Sequence, residues 1–403
     1  MMSTTVIRPT TVERRRRPQL PQLDLFRILV FACVIAVHVT DKANDPGSVP
    51  ANAALILLHF TRNAFFALTG FVLVYQFADG PLRAGGFWRR RLGLVGIPYV
   101  VWSVVYWAYT IHTGQNTGSA SRLLGRLGLD LVSGTAYYHL YFLLVTMQAY
   151  LLFPLLRKLL RATEGRHRWV LAASAALHLP LLWYLAHPPF TVGVPGQIWT
   201  HLYATVFPYQ FFTVLGAVTA WHIDAVNAFL RGHARAIVAV TLLAAVAAEW
   251  NYLIAIHGGQ PPWGASDVFL PQLTIWFVAI AACLYLITTR WAAHRREQGM
   301  AARLVRYGAD RSFGVFLLHP LVLDILLQTV PASGQPGRTI VLYLLVVALT
   351  PVGAEVLRRI PASRWLTGRP MLRTDPFILV PNRFRSPAPS DGASKEVVCS
   401  PTP

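Results

Sequence analysis

The sequence predicts an all-α, polytopic integral membrane protein of about ten transmembrane helices, and three observations predict it. Hydrophobic residues fill 54% of 403 positions while charged residues fill only 13%, which is too apolar for an ordinary soluble globule. The apolar residues gather into runs of about 20, the length that crosses a hydrocarbon core. Of the 36 Lys and Arg residues, against 17 Asp and Glu, all but six lie between or beyond those runs on one side of the membrane.

Ten runs qualify, near 22–40, 53–77, 92–112, 137–156, 169–187, 201–222, 236–256, 268–289, 312–330 and 339–357. The first follows the basic stretch Arg14 to Arg17, as a signal peptide would. It passes through His38, Thr40 and Asp41 with no small-residue cleavage pattern, so it reads as a retained span. The second carries Arg62 and Asn63 in one half. The third and fourth are rich in aromatic rings (Trp102, Tyr106 and Trp107; Tyr137, Tyr138, Tyr141 and Phe142), which suit a headgroup zone or a polar cavity. Between them, 113–136 is a glycine-containing loop with enough leucine to lie partly on the membrane surface. The seventh run encloses Glu249 and the ninth encloses His319 and Asp324.

An N-terminus in the cytoplasm makes the even-numbered loops internal. Only Lys42, Arg122, Arg126 and Arg338 then fall outside, and Arg27 and Arg62 fall within spans. Every other basic residue is internal, the orientation expected of a multi-pass protein of the cell membrane with both termini cytoplasmic. The formal charge of +19 is therefore an orientation signal and not a nucleic-acid surface. The expected organisation is a basic cytoplasmic segment over 1–21, a ten-span membrane domain over 22–357 and a cytoplasmic, mostly disordered tail over 358–403. Cys33, Cys283 and Cys399 are too scattered for a disulfide framework or a zinc site, and no metal is expected.

Charge inside a span costs about 2.5–3.5 kcal/mol on insertion scales, so each such residue needs a reason. Arg27 lies about a turn into the first helix beside Asp24, where an interfacial ion pair would account for it alone. His38 follows eleven residues later. At 100° per residue that is about 20° past three full turns, so the two side chains share a face, about 16 Å apart along the axis. One helix face thus offers a fixed cation near the cytoplasm and a titratable base near the outside, although a lone histidine on an apolar helix is also a common packing residue. Cys33 lies about 140° from His38 around the helix and is not its nucleophilic partner.

The stretch Leu23-Asp24-Leu25-Phe26-Arg27, with ten residues before His38, resembles the R-x10-H signature of membrane-bound acyltransferase family 3. Phe65-Phe66-Ala67-Leu68-Thr69-Gly70-Phe71 is similar to that family's FF-x-L-S-G-F segment, with Thr69 in place of serine. Arg89-Arg90-Arg91-Leu92 leading to Ile97-Pro98-Tyr99, then Tyr138 to Leu143, then Ser312 to Pro320, resemble three further blocks in the family's order. The resemblance implies transfer of an acyl group, usually acetyl in the family, from cytoplasmic acyl-CoA to a hydroxyl of a saccharide or small molecule. No metal is implied.

On that reading Arg27, Arg89, Arg90 and Arg91 suit the phosphates of acyl-CoA, because arginine binds phosphate bidentately. Orientation alone would also explain the triplet. His38 is the general base, with Arg27 as its catalytic companion. Tyr138, His139, Tyr141, His319 and Arg62 are candidates for the acceptor side, and the tyrosines and His139 for an oxyanion donor. Interfacial anchoring of the aromatics and snorkelling of Arg62 are the competing explanations. Segments 98–107 and 137–156 also resemble relatives from exopolysaccharide systems, so an exporter or flippase without chemistry is the alternative function. The bilayer, acyl-CoA and a hydroxylated acceptor are the expected partners.

Overall fold

The computed structural model describes residues 17–331 and 337–372. Among the described residues every regular element is a helix, nine helices are long and apolar enough to cross a membrane, and one bent pair makes a tenth candidate. The protein is an all-α, multi-pass membrane protein. Of the expected cytoplasmic segments 1–21 and 358–403, residues 1–16 and 373–403 lie outside the described residues.

The central helix is α1 (Pro21–Ala43), started by a proline in the first turn. It buries Leu23, Phe26, Val30 and Val34, a stripe at three- and four-residue spacing. The second span is divided at His59 into α2 (Val49–Leu58) and α3 (Phe60–Phe77). Helix α4 (Ala84–His112) starts before the apolar run, so Arg89, Arg90 and Arg91 are helical and not in a loop. The expected loop over 113–136 contains α5 (Ala120–Ser133), whose Leu124, Leu129 and Val132 are exposed while Asp130 is buried. That is the pattern of a helix lying on a membrane surface.

Helices α6 (Tyr141–Ala162) and α7 (His167–Ala186) follow as spans. The sixth run, expected as one helix over 201–222, is broken. After α8 (Gly193–Thr200), short 3₁₀ turns at Leu202–Ala204 and Phe207–Tyr209 lead into α9 (Gln210–Trp221). The segment Phe207–Trp221 then bends by 94° into α10 (Ile223–Gly232). Pro208 withholds an N–H there, and the irregular backbone needs outside partners. Gln148 of α6 supplies both: its amide donates to the Ala204 carbonyl at 2.9 Å and accepts from the Val206 N–H at 2.9 Å.

The remaining elements are α11 (Ala234–His257), α12 (Pro262–Ala265), α13 (Leu273–His294), α14 (Met300–Thr329), α15 (Arg338–Leu357) and α16 (Ser363–Thr367). Helix α1 packs against α2, α3, α13, α14 and α15. Helices α3 and α9 meet at backbone contact. A Cβ on Gly70 would lie 2.0 Å from the Thr213 carbonyl oxygen, and one on Gly216 would lie 1.8 Å from that of Ala67. Small residues allow this approach where water supplies no hydrophobic drive between helices. The glycine of the Phe65–Phe71 motif is therefore a packing residue.

The stretch 358–372, expected as the start of the cytoplasmic, mostly disordered tail, folds back onto the bundle. The Trp102 indole donates to the Leu366 carbonyl at 2.9 Å, and the Leu372 N–H donates to the Arg358 carbonyl at 2.8 Å. Gly368 ends α16 with φ of +64°, a left-handed cap that favours glycine.

Candidate functional site

Two cavities open towards opposite ends of α1, and His38 sits in the layer between them. Near the Pro21 end, a cavity of about 230 Å³ is lined by Arg27 and Phe31 of α1, Thr69 of α3, Arg91 of α4, Tyr150 of α6, Asp310 and Phe316 of α14, and Arg369. Near the Ala43 end, a larger cavity of about 560 Å³ is lined by polar groups, among them Lys42, Asn116, Asp130, Tyr137, Tyr138, Asp324 and Gln328. We call these the arginine cavity and the polar cavity.

The intervening layer is aromatic. Phe31, Phe142 and Phe316 all line the arginine cavity, and the Phe316 ring lies 6.0 Å from that of Phe31 and 5.5 Å from that of Phe142. Beyond Phe316 come three imidazoles. The His139 ring is 5.1 Å from Phe316, and the His319 ring is 5.6 Å from His139 and 5.3 Å from His38. Tyr138 completes the layer, 4.8 Å from His38 on one side and lining the polar cavity on the other. His139 and His319 are buried at 2% and 1% exposure, whereas His38 is half-buried. Of the three, His38 alone is not fully buried; it lines neither cavity itself and meets the polar cavity through Tyr138.

Pro320 determines how His319 is held. A proline has no N–H, so the Phe316 carbonyl loses its helical partner. The His319 Nδ1 takes its place, 2.8 Å from the Phe316 oxygen and 3.3 Å from that of Val315. Next along the helix, the Tyr106 hydroxyl donates to the Leu317 carbonyl at 2.8 Å and accepts from the Leu321 N–H at 3.3 Å. A side chain from α4 is thus inserted where the ladder of α14 opens.

In the arginine cavity, Arg27 lies 3.8 Å from Asp24, and the Asp24 carboxylate also accepts from Gln19 at 2.8 Å. Arg91 donates to the Gln76 side chain at 2.7 Å. Asp310 is shared among three cations: Arg358 at 2.8 Å, Arg311 at 3.2 Å and Arg369 at 3.2 Å. Arg311 and Arg359 also engage Glu355, both at 2.8 Å. Positive groups outnumber carboxylates at this end, which favours an anion. In the polar cavity the Tyr137 hydroxyl donates to the Asp324 carboxylate, and the Lys42 ammonium lies 5.3 Å from the Tyr138 ring centroid.

The structure brings several sequence-predicted site residues together and leaves others apart. Arg27 and Arg91 share the arginine cavity, while His38, Tyr138, His139 and His319 share the layer. Arg89 and Arg90 are exposed and line neither cavity. Arg62 donates to the Tyr141 hydroxyl at 3.4 Å and lies 4.6 Å from the Phe269 ring. Neither Arg62 nor Tyr141 lines either cavity. Glu249, the acid enclosed by the seventh run, lines neither cavity, and its Oε1 has no hydrogen-bond partner. Arg369 and Asp310 were missed in the sequence. The first lies in what read as tail, and its one local signal is the Gly368 helix cap beside it. Among the described residues no His, Cys, Asp or Glu groups converge as a metal site.

No curated protein and no solved structure matches the chain. The sequence model of the acyltransferase domain of acyltransferase family 3 matches residues 20–357. That range holds α1, both motif arginines of the arginine cavity and the whole histidine layer, and the chain belongs to this family of membrane acyltransferases.

Proposed function

We propose that the protein moves an acyl group, acetyl by the family's usual chemistry, from acyl-CoA in the arginine cavity to a hydroxyl in the polar cavity, with His38 as general base. The observation that carries this reading is the position of His38 between two cavities of different chemistry. The arginine cavity suits phosphates, because Arg27, Arg91 and Arg369 offer planar donors that pair bidentately with phosphoryl oxygens. Polar groups of the other cavity suit a hydroxylated acceptor, a saccharide or small molecule. The positive-inside pattern supports an arginine cavity facing the cytoplasm, where acyl-CoA is found, and both termini on that side of the cell membrane.

Arg27 and His38 are about 16 Å apart along α1, a span that an extended pantetheine arm bridges. Phosphates near Arg27 would then bring the thioester to His38. The passage needs Phe31, Phe142 and Phe316 to give way, since they separate the arginine cavity from the imidazoles. In the reaction the acceptor oxygen attacks the thioester carbonyl carbon as its proton passes to the His38 ring nitrogen. The carbon–sulfur bond breaks, and the departing thiolate recovers that proton to leave as free CoA. No acyl-enzyme is needed.

The test is incubation of purified protein with radiolabelled acetyl-CoA and candidate acceptors, followed by identification of the labelled product. Labelled ester from the wild type and none from a folded, membrane-inserted His38→Ala variant is the expected result. Ester formation by that variant at the wild-type rate would remove the base from the mechanism. Export of a glycan without any labelled product would favour the exporter.

A further inference from the structure

The hydrogen bonds around Pro320 fix more than a helix kink. A carbonyl oxygen can only accept, so the His319 Nδ1 that meets the Phe316 carbonyl at 2.8 Å carries the proton. The neutral ring then has its lone pair on Nε2. That nitrogen is buried and has no hydrogen-bond partner, and a buried acceptor left unmatched is uncommon. The nearest rings are those of His38, 5.3 Å away and tilted by 32°, and of His139, 5.6 Å away and tilted by 71°. His38 and His319 are not hydrogen-bonded in this arrangement. His167 and His222, with ring centroids 5.0 Å apart, bond at 2.8 Å between ring nitrogens at an interplanar angle of 64°. At a similar separation, His38 and His319 need a rotation of one ring to bond, and catalytic hydrogen bonds commonly tighten only when substrate binds.

We infer that His319 is a positioning residue, whose Nε2 accepts the N–H of His38 and thereby leaves the other His38 nitrogen unprotonated and aimed at the acceptor hydroxyl. This rests on the proposed function, in which His38 is the base. When His38 takes the hydroxyl proton, the bond to His319 becomes charge-assisted and stronger, so it stabilises the reacting state more than the resting one. Pro320 is the source of the arrangement. Without a proline, the backbone N–H of residue 320 would claim the Phe316 carbonyl, and the His319 ring would be free to turn either nitrogen to His38. The sequence His319-Pro320 therefore specifies a tautomer.

Three variants of the full-length protein in lipid nanodiscs test this, with radiolabelled acetyl-CoA and the acceptor that the labelled-product experiment selects. His319→Asn keeps a donor at the Nδ1 position for the Phe316 carbonyl and has no acceptor at Nε2. His319→Gln places an acceptor near the Nε2 position and gives up the cap. A positioning role predicts that Asn lowers kcat by about tenfold or more, with KM for acetyl-CoA unchanged, and that Gln restores most of it. A purely structural cap predicts the reverse order and overturns the inference. Pro320→Ala separates the two roles again. It restores a helical hydrogen bond, so thermal stability should hold or rise while kcat falls. A Pro320→Ala protein with wild-type kcat would also overturn the inference. If His38→Ala is inactive while these variants behave as wild type, only the role of His319 fails. If His38→Ala is fully active, the base assignment itself has failed.

Discussion

Tyr138 lies against His38, ring centroids 4.8 Å apart, and its far side forms part of the wall of the polar cavity. The tyrosine thus stands between the candidate base and the space from which an acceptor would arrive. Its hydroxyl is buried without a hydrogen-bond partner, so the phenol has a vacant donor that an acceptor oxygen or a developing oxyanion would satisfy.

Truncation of this wall should admit water to His38. In Tyr138→Ala, hydrolysis of acyl-CoA is expected to rise relative to transfer, read as free acetate against labelled ester. Tyr138→Phe keeps the wall and removes the hydroxyl. It should keep the ratio of the two products while slowing both, and an unchanged rate would dismiss the hydroxyl as a donor.

Arg369 reaches the arginine cavity from beyond the family domain and pairs with Asp310 at 3.2 Å. Arg369→Ala and Arg91→Ala should each raise KM for acyl-CoA several-fold with a smaller effect on kcat, because they remove binding that is alike in ground and transition states. Arg89→Ala and Arg90→Ala, outside the cavity, should change KM little. A chain ending at Leu372 should match the full-length KM, and one ending at Leu357 should not.

Arg62 was a candidate acceptor ligand in the sequence, yet it is enclosed by Tyr141 and Phe269. A desolvated cation–π contact contributes about 2 kcal/mol. Arg62→Gln is therefore expected to lower thermal stability and leave KM for the acceptor as it was. A raised acceptor KM at wild-type stability would return Arg62 to the site.

The α3–α9 contact leaves no room for a methyl group at Gly70 or Gly216, since the obstructing atoms belong to backbone. Gly70→Ala and Gly216→Ala should each destabilise the protein by about 1–3 kcal/mol, seen as a lower unfolding midpoint in detergent. Gly93 of α4 has open space around its Cβ position. Gly93→Ala should be neutral or slightly stabilising, and it controls for a general intolerance of glycine replacement.

Features that belong to one helix were legible in the sequence. Run length and flanking arginines give the spans, and a 100° step per residue puts Arg27 and His38 on one face of α1. At Pro208 the expected single helix was wrong, whereas Pro98, Pro154, Pro180, Pro320 and Pro351 lie inside continuous helices. A lone proline does not reveal that Gln148 will support an irregular turn. The site itself is a property of packing. His139 and His319 are distant in the chain from His38 and from each other. They meet it only because the faces of α1 and α14 and the start of α6 converge, with Tyr106 wedged into the opened ladder of α14. The same holds for Arg369, which reaches the arginine cavity because Trp102 and Gly368 seat the C-terminal turn. Helical phase is fixed by covalent geometry along a single chain segment. Which faces meet is decided by contacts between segments, and only the tertiary structure supplies those.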